Sequence, residues 1–173
     1  RERLYDAPHY RLVHAEADGL PGVVIDRFGD TAVIQPNAAW AEAMVSDIAA
    51  ALTQVTGVTT VVKNGAGRAR ALEGLAEETL VLIGKVEGPV PVLMNGATYM
   101  ADVLGGQKTG LFFDQRDNHA FAARLAKGAR VLDVFAHVGG FAHAALAAGA
   151  ESALAVDGSA VALELAEAGA AAT

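Results

Sequence analysis

The first two thirds of the chain alternate short apolar runs with turn-forming residues, which predicts a β-rich region. Seven runs have the length of strands, at residues 9–16, 22–28, 31–36, 58–63, 79–83, 90–94 and 97–103. The turn signals between the first three runs are Asp18-Gly19, Pro21-Gly22 and Gly29-Asp30. Asn95-Gly96 has the residue types of a two-residue hairpin turn, so the last two runs are predicted to pair.

Two other stretches carry the pattern of helices. Between residues 38 and 56, apolar side chains recur at three- and four-residue spacing and form one stripe. Its members are Trp40, Met44, Val45, Ile48, Leu52 and Val55. We expect Trp40 and Met44 to pack in a core rather than to line a ligand site. A second helix is predicted over residues 114–127, with Asp114 as its N-cap.

The most informative segment is residues 131–159, VLDVFAHVGGFAHAALAAGAESALAVDGS. An apolar run ends in Asp133, the paired glycines Gly139 and Gly140 follow, and a second apolar run after an Ala-rich helix ends in Asp157. This order predicts a β-loop-α-β unit of Rossmann type, in which the glycines let the backbone approach a nucleotide-like ligand. The helix N-terminus is expected to face that ligand, and Asp157 to accept hydrogen bonds from a ribose diol.

Asp133 distinguishes two classes of cofactor. A dinucleotide fingerprint reads G-x-G-x-x-G with no acid before it, whereas this loop reads D-V-F-A-H-V-G-G-F. A carboxylate suits the cationic sulfonium and ammonium groups of S-adenosylmethionine and repels a pyrophosphate. We therefore predict S-adenosylmethionine as the cofactor. The structural alternatives are that Asp133 caps a helix or stabilises the loop, and that the glycines form a plain tight turn.

Composition limits the other functions of the chain. Hydrophobic residues make up 53% of the 173 residues, which is enough for a sizeable core. No apolar run approaches the length of a membrane span, and the absence of cysteine excludes disulfides and thiolate metal sites from these residues. A cytoplasmic protein is the default expectation. The net charge of −7 argues against a broad electrostatic grip on nucleic acid but leaves a local basic patch open.

Glycines and prolines cluster between residues 86 and 106, which predicts a domain boundary. We expect a mixed α/β central domain over 1–86, a β-hairpin connector over 87–105 and a Rossmann-like domain from 106 to 173. Two parallel strands and two helices do not close a doubly wound sheet, which is buried on both faces. The last domain is therefore expected to be truncated.

Three further motifs point to one family. They are EADGLPGVVIDRFGD at 16–30, RALEGL at 70–75 and GQKTGLFFDQRDN at 106–118. Together with DVFAHVGGF they resemble the bacterial large-subunit ribosomal RNA methyltransferases of the RlmI type. The resemblance covers nearly the whole chain, and GQKTG-x-F-x-DQR is its most specific element. It implies a class I methyltransferase that uses S-adenosylmethionine to methylate cytosine C5 of 23S rRNA, with an RNA-binding PUA domain before the central domain.

The resemblance also assigns roles to residues. In the related enzymes the turn at 106–118 lies against the cofactor pocket, which adds Thr109 and Gln115 to the predicted cofactor ligands. The full predicted cofactor set is Asp133, Phe135, Gly139, Gly140, Phe141, Asp157, Gln115 and Thr109. Lys108 and Arg116 are candidate RNA contacts, unless the turn only caps the next helix. Arg70 is either a ligand of an RNA phosphate or part of a structural salt bridge.

The chain departs from the family pattern at two places. His137-Val138 stands where the family usually has Tyr-Thr, which removes a hydroxyl near the cofactor, and Met94-Asn95 stands where Glu-Asn is more common. We expect His137 to pack in its loop rather than to act as an acid or base. Asp26 and Arg27 are expected to be solvated charges.

The catalytic residues are unknown at this stage. Methylation of cytosine C5 usually needs a cysteine thiolate that attacks C6, and the chain has no cysteine, so the nucleophile is expected beyond Thr173. Methylation of another base, such as guanine N7, needs no cysteine and is an alternative. An NAD-dependent oxidoreductase and a non-catalytic RNA-binding protein are two others. A homodimer is left open.

Overall fold

A computed structural model describes residues 1–106 and 108–173. These residues form two compact units. Unit 1 contains Arg1–Gly88 and Asp102–Gly110, and unit 2 contains Pro89–Ala101 and Leu111–Thr173. The predicted hairpin therefore belongs to unit 2, while part of the GQKTG turn belongs to unit 1. None of the helices in the described residues is both long and apolar enough to cross a membrane.

Unit 1 is built on a five-stranded mixed sheet in the order β1-β2-β3-β4-β5. The strands are β1 (His9–His14), β2 (Val23–Phe28), β3 (Thr31–Pro36), β4 (Thr60–Lys63) and β5 (Leu80–Ile83). Only β3 and β4 pair in parallel, and helices α1 (Ala39–Ala43) and α2 (Val45–Thr56) connect them. A short helix α3 (Arg68–Leu72) lies between β4 and β5. Every strand predicted in this region is present.

The core of unit 1 packs the sheet against the small residues of its helices. Val23, Ile34 and Val61 are buried on the sheet. They pack against the buried helix residues Ala41, Ala49 and Leu52. The expectation that Trp40 and Met44 are core residues is wrong, because their exposed fractions are 40% and 48%. Leu52 of the predicted stripe is buried, and alanines are the other buried residues of these helices. The continuous helix predicted over 38–56 is interrupted at Met44.

Two charged residues of β2 are not solvated, contrary to expectation. Asp26 is fully buried, and its carboxylate accepts hydrogen bonds from Arg11 Nε at 2.9 Å, Arg11 Nη2 at 3.0 Å and the Thr109 hydroxyl at 2.6 Å. Arg27 donates to the carbonyl oxygens of Gly29 and Thr56, and its side chain is only 11% exposed.

Unit 2 begins with the hairpin of β6 (Val90–Met94) and β7 (Ala97–Ala101). Asn95 and Gly96 both have positive φ, at 54° and 76°, as the predicted two-residue turn requires. The next helix, α4 (Arg116–Ala123), is shorter than predicted. Phe113 is buried, and the chain makes a 3₁₀ turn from Phe113 to Gln115 before the α-helix begins. Asp114 is therefore not the N-cap of this helix.

The Rossmann-type segment has the predicted order. Strand β8 (Arg130–Val134) is followed by helix α5 (Gly140–Ala147), strand β9 (Ser152–Val156) and helix α6 (Ala160–Ala171). The two strands pair in parallel, with Asp133 opposite Ala155. The hairpin is anchored to the end of α6, since Thr98 Oγ1 donates to the Ala172 carbonyl oxygen at 3.2 Å. This arrangement confirms the α/β fold class.

Candidate functional site

The loop that connects β8 to α5, residues 135–139, is wound into an unusual conformation. Phe135, His137 and Gly139 all have left-handed backbone angles, with φ of 62°, 50° and 79°. Such a conformation costs about 1–2 kcal/mol for a residue with a Cβ atom, and it persists only where surrounding contacts enforce it. Strain of this kind concentrates at functional sites, and here it falls at the carboxyl end of β8.

Asp157 holds this loop from the end of β9. Its Oδ2 accepts a hydrogen bond from the His137 N–H at 2.8 Å, and its Oδ1 accepts one from the Ser159 N–H at 2.9 Å. These backbone hydrogen bonds, the one from His137 above all, hold the pKa of Asp157 below its usual value. The carboxylate is therefore ionised at neutral pH, and the residue is only half-buried.

Asp133 acts on the other end of the loop. It is 6% exposed, and its Oδ2 accepts a hydrogen bond from the Ala142 N–H at 3.0 Å, in the first turn of α5. Burial raises the pKa of this carboxyl group, and hydrogen bonds from the Ala142 and Phe141 N–H groups oppose the rise. Asp133 thus makes the helix-capping contact that the sequence left open as its structural role.

The N–H groups at the start of α5 already have acceptors inside the protein. Asp133 takes those of Phe141 and Ala142, and the Ala136 carbonyl takes that of Gly139 at 2.8 Å. A phosphate bound at a helix N-terminus needs such donors to be free. This helix start instead presents an acid, so it favours a cationic ligand over a pyrophosphate.

The paired glycines have a reason that the sequence did not reveal. A Cβ atom on Gly140 would lie 2.5 Å from Cε1 of His119, and one on Gly139 would lie 2.7 Å from Nε2 of His143. Both glycines therefore admit imidazole rings from within unit 2. Histidines are rare among the alanines of α5, and His143 in the sequence FAHAA was the one available signal.

The two histidines belong to a buried aromatic cluster with Tyr99. The Tyr99 ring centroid lies 5.3 Å from that of His143 and 6.5 Å from that of His119. The Tyr99 hydroxyl donates to the Gly140 carbonyl at 3.2 Å, and burial raises its pKa. Burial lowers the pKa of His119 to about 4 and also lowers that of His143, so both rings are neutral at physiological pH.

The other predicted cofactor ligands are spread over both units. In unit 2, Phe135 is 89% exposed and Phe141 is 37% exposed, and Gln115 accepts a hydrogen bond from Asn118 at 3.0 Å. His137 packs its ring edge against Phe112, with centroids 5.2 Å apart. In unit 1, Thr109 is fully buried and its hydroxyl donates to Asp26 Oδ2 at 2.6 Å, so the structure gives it a structural partner.

The three candidate RNA contacts differ in accessibility. Lys108 is exposed, with a left-handed φ of 60°. Arg116 is half-buried, and its guanidinium carbon lies 5.7 Å from the centre of the Phe113 ring. Arg70 is 1% exposed and pairs with Glu42 at 2.9 Å, which is the structural salt bridge that the sequence left open.

Taken together, a parallel β-loop-α-β unit with an acid at the end of each strand and a strained glycine loop defines a Rossmann-type domain suited to a cationic nucleoside cofactor. The sequence family described as S-adenosylmethionine-dependent methyltransferase matches residues 42–168. The chain belongs to this family.

Two curated relatives are named Ribosomal RNA large subunit methyltransferase I. The protein from Tolumonas auensis is 43% identical over 161 residues, which cover 91% of this chain and 40% of the relative. The protein from Alteromonas mediterranea is 39% identical over 170 residues, covering 96% of this chain and 43% of the relative. The chain thus spans about two fifths of the length of these relatives.

Two solved structures share the fold over nearly the whole chain. One, described as "a putative sam-dependent methyltransferase from Streptococcus mutans", is 25% identical with a TM-score of 0.80 and covers 98% of this chain and 44% of its own. The other, described as "a putative methyltransferase complexed with SAH", is 26% identical with a TM-score of 0.78. It covers 94% of this chain and 41% of its own.

Proposed function

We propose that this chain is part of an S-adenosylmethionine-dependent methyltransferase that acts on ribosomal RNA of the large subunit. One observation in the site supports the cofactor named in the proposal. The start of α5 has its N–H groups taken up by Asp133 and by the loop, while Asp157 keeps an ionised, half-buried carboxylate beside them. Family membership and the names of the relatives support the same conclusion.

The residues present fit such a cofactor. We infer that Asp157 accepts hydrogen bonds from the ribose hydroxyls, since its position at the end of β9 leaves part of its carboxylate open. Phe135 in the loop and Phe141 in the first turn of α5 offer exposed apolar surface. Asp133 adds negative electrostatic potential at the start of α5. The bound cofactor supplies an electrophilic methyl group, and these side chains bind and orient it.

For the RNA, Lys108 and Arg116 are the contacts that we propose from this chain. Arg70 is left out because its guanidinium is buried and paired. We propose cytosine C5 of 23S rRNA as the target, in the cytoplasm, on the resemblance of the GQKTGLFFDQRDN and DVFAHVGGF motifs. Since the chain has no cysteine, a thiolate for that reaction comes from outside these 173 residues.

Nucleoside analysis of rRNA tests this proposal. The full-length protein is incubated with S-adenosylmethionine carrying a labelled methyl group and with unmodified 23S rRNA, which is then digested. We expect the label in 5-methylcytidine. Label in 7-methylguanosine would support the second candidate base and reject cytosine C5. Rapid labelling of tRNA with none in 23S rRNA would reject the ribosomal substrate.

A further inference from the structure

His119 and His143 press against the glycine loop from inside unit 2. The Cβ position of Gly140 is blocked by the His119 ring at 2.5 Å, and that of Gly139 by the His143 ring at 2.7 Å. Gly140 lies outside the left-handed region, so its backbone angles admit any residue. The obstacle to a side chain at Gly140 is therefore steric, and it is the imidazole ring of His119 on α4.

The two rings are fixed by different means. His143 Nδ1 contacts the Thr98 carbonyl oxygen at 3.1 Å, which ties the ring to β7. His119 Nδ1 is buried and has no hydrogen-bond partner among residues 1–106 and 108–173. Its ring is held by packing, with the Phe141 ring centroid 4.5 Å away in an edge-on arrangement. A buried polar atom without a partner costs free energy of folding.

Tyr99 joins the two rings to the loop. Its ring lies within 6.5 Å of both imidazole centroids, and its hydroxyl donates to the Gly140 carbonyl at 3.2 Å. Strand β7, helix α4 and helix α5 thus each send one ring beneath the same two glycines. The backbone of Gly139 and Gly140 therefore rests on these rings.

We propose that His119 and His143 are positioning residues. They fix the position of the Gly139–Gly140 backbone and thereby the shape of the cofactor-binding loop. This inference rests on the proposed function, because the loop is taken as the binding surface for S-adenosylmethionine. Neither histidine contacts the reacting atoms. Their neutral state suits this role, since a charged ring would demand solvent or a counter-ion beneath the loop.

A double-mutant cycle tests the role of His119. Gly140→Ala places a methyl group against the imidazole, so we expect it to weaken binding of S-adenosylhomocysteine at least tenfold in the full-length protein. Removing the ring in the His119→Ala/Gly140→Ala variant relieves the clash, and we expect it to recover most of that loss. Gly88→Ala is the matched control, because nothing lies within 4 Å of its Cβ position and its φ is not positive.

Calorimetric titration measures the affinities, and thermal unfolding confirms that each variant is folded at the titration temperature. If Gly140→Ala does not fold, His119→Phe replaces it, since the larger ring pushes on the same backbone and is expected to weaken binding severalfold. Unchanged affinity in Gly140→Ala, or in His119→Phe where it is used instead, would overturn the positioning role. A double variant that recovers none of the loss would overturn it as well. Absence of binding by the wild type would instead overturn the proposed function, and the inference with it.

Discussion

Asp157 joins the strained loop to β9 through one carboxylate. The hydrogen bond from the His137 N–H favours the ionised form, and the carboxylate keeps part of its surface open to a ligand. Its place at the end of the second apolar run was predictable from the sequence, because parallel strands bring their carboxyl ends to one edge. The hydrogen bond between Asp157 and the His137 backbone was not predictable, because left-handed backbone angles have no sequence signature in non-glycine residues.

Replacing Asp157 by Ala removes both the acceptor for ribose and the anchor of the loop. Because a hydrogen bond to a charged group contributes strongly to the free energy of binding, we expect affinity for S-adenosylhomocysteine to fall about tenfold or more. Glu167→Ala, an exposed acid on α6, is the control for the lost charge. Calorimetry on the full-length variants gives the comparison. Equal affinity for wild type and Asp157→Ala would remove Asp157 from the site.

Asp133 lends itself to a test that separates charge from shape. Asn at this position keeps an oxygen acceptor for the Ala142 N–H but carries no charge. S-adenosylmethionine has a sulfonium that S-adenosylhomocysteine lacks, so we expect Asp133→Asn to lower the preference for the former by about threefold or more. Parallel titrations with both compounds measure the ratio. An unchanged ratio would confine Asp133 to capping α5.

The same variant has a predicted effect on stability. Burial raises the pKa of Asp133, so the folded protein binds this proton more tightly than the unfolded chain. The ionised form therefore costs stability above the raised pKa, and that cost disappears as pH falls through it. Asp133→Asn should be at least as stable as wild type at pH 7, with the difference shrinking in acid. Thermal unfolding across pH checks the sign, and a variant much less stable at neutral pH would contradict it.

At the scale of elements, turn residues and hydrophobic periodicity predicted which helices and strands exist. They predicted less well where these elements begin and end. The Asn95-Gly96 hairpin and the β8-α5-β9 unit follow from local patterns. The start of α4 does not, because burial of Phe113 draws the chain into a 3₁₀ turn where Asp114 had the composition of an N-cap. The exposed Trp40 was not predictable either. The buried residues of α1 and α2 are Ala41, Ala49 and Leu52, and the stripe of large residues indicates only the last of these.

Two arginines of helix α3 allow a structural role to be distinguished from a role in RNA binding. Arg70 is buried and paired with Glu42, whereas Arg68 is exposed. Arg70→Ala leaves Glu42 with only Lys63 as its ion-pair partner among the described residues and removes the donor to the Ala76 carbonyl. We therefore expect the free energy of unfolding to fall by about 1–3 kcal/mol. Arg68→Ala should change it little. Denaturant unfolding measures both. A stable Arg70→Ala variant with lost RNA affinity would restore Arg70 as a phosphate ligand.

At the scale of the whole molecule, charge is the constraint on RNA binding. With a net charge of −7, the 173 residues carry 13 lysines and arginines, and Lys108 and Arg116 are the two within the turn at 106–118. The sequence identified this turn through resemblance rather than through charge. The buried histidine cluster behind the glycines escaped it, because packing between β7, α4 and α5 joins residues far apart along the chain.

Changing Lys108 and Arg116 together to Ala should weaken rRNA binding and leave affinity for S-adenosylmethionine nearly intact, because a cationic cofactor gains nothing from them. Each lost phosphate contact should reduce the slope of log affinity against log salt by about 0.7 for a single strand. Lys85→Ala/Lys127→Ala, which also removes one cation from each unit, is the control. Parallel salt slopes with equal affinity would leave this turn a structural element.

Titration calorimetry of the full-length protein tests the identity of the cofactor directly. S-adenosylmethionine and S-adenosylhomocysteine should bind in the micromolar range, about −8 kcal/mol. NAD should show no binding under the same conditions, since its pyrophosphate would meet Asp133 and a helix start whose donors are already engaged. Binding of NAD in that range, with no response to either adenosyl compound, would contradict the account.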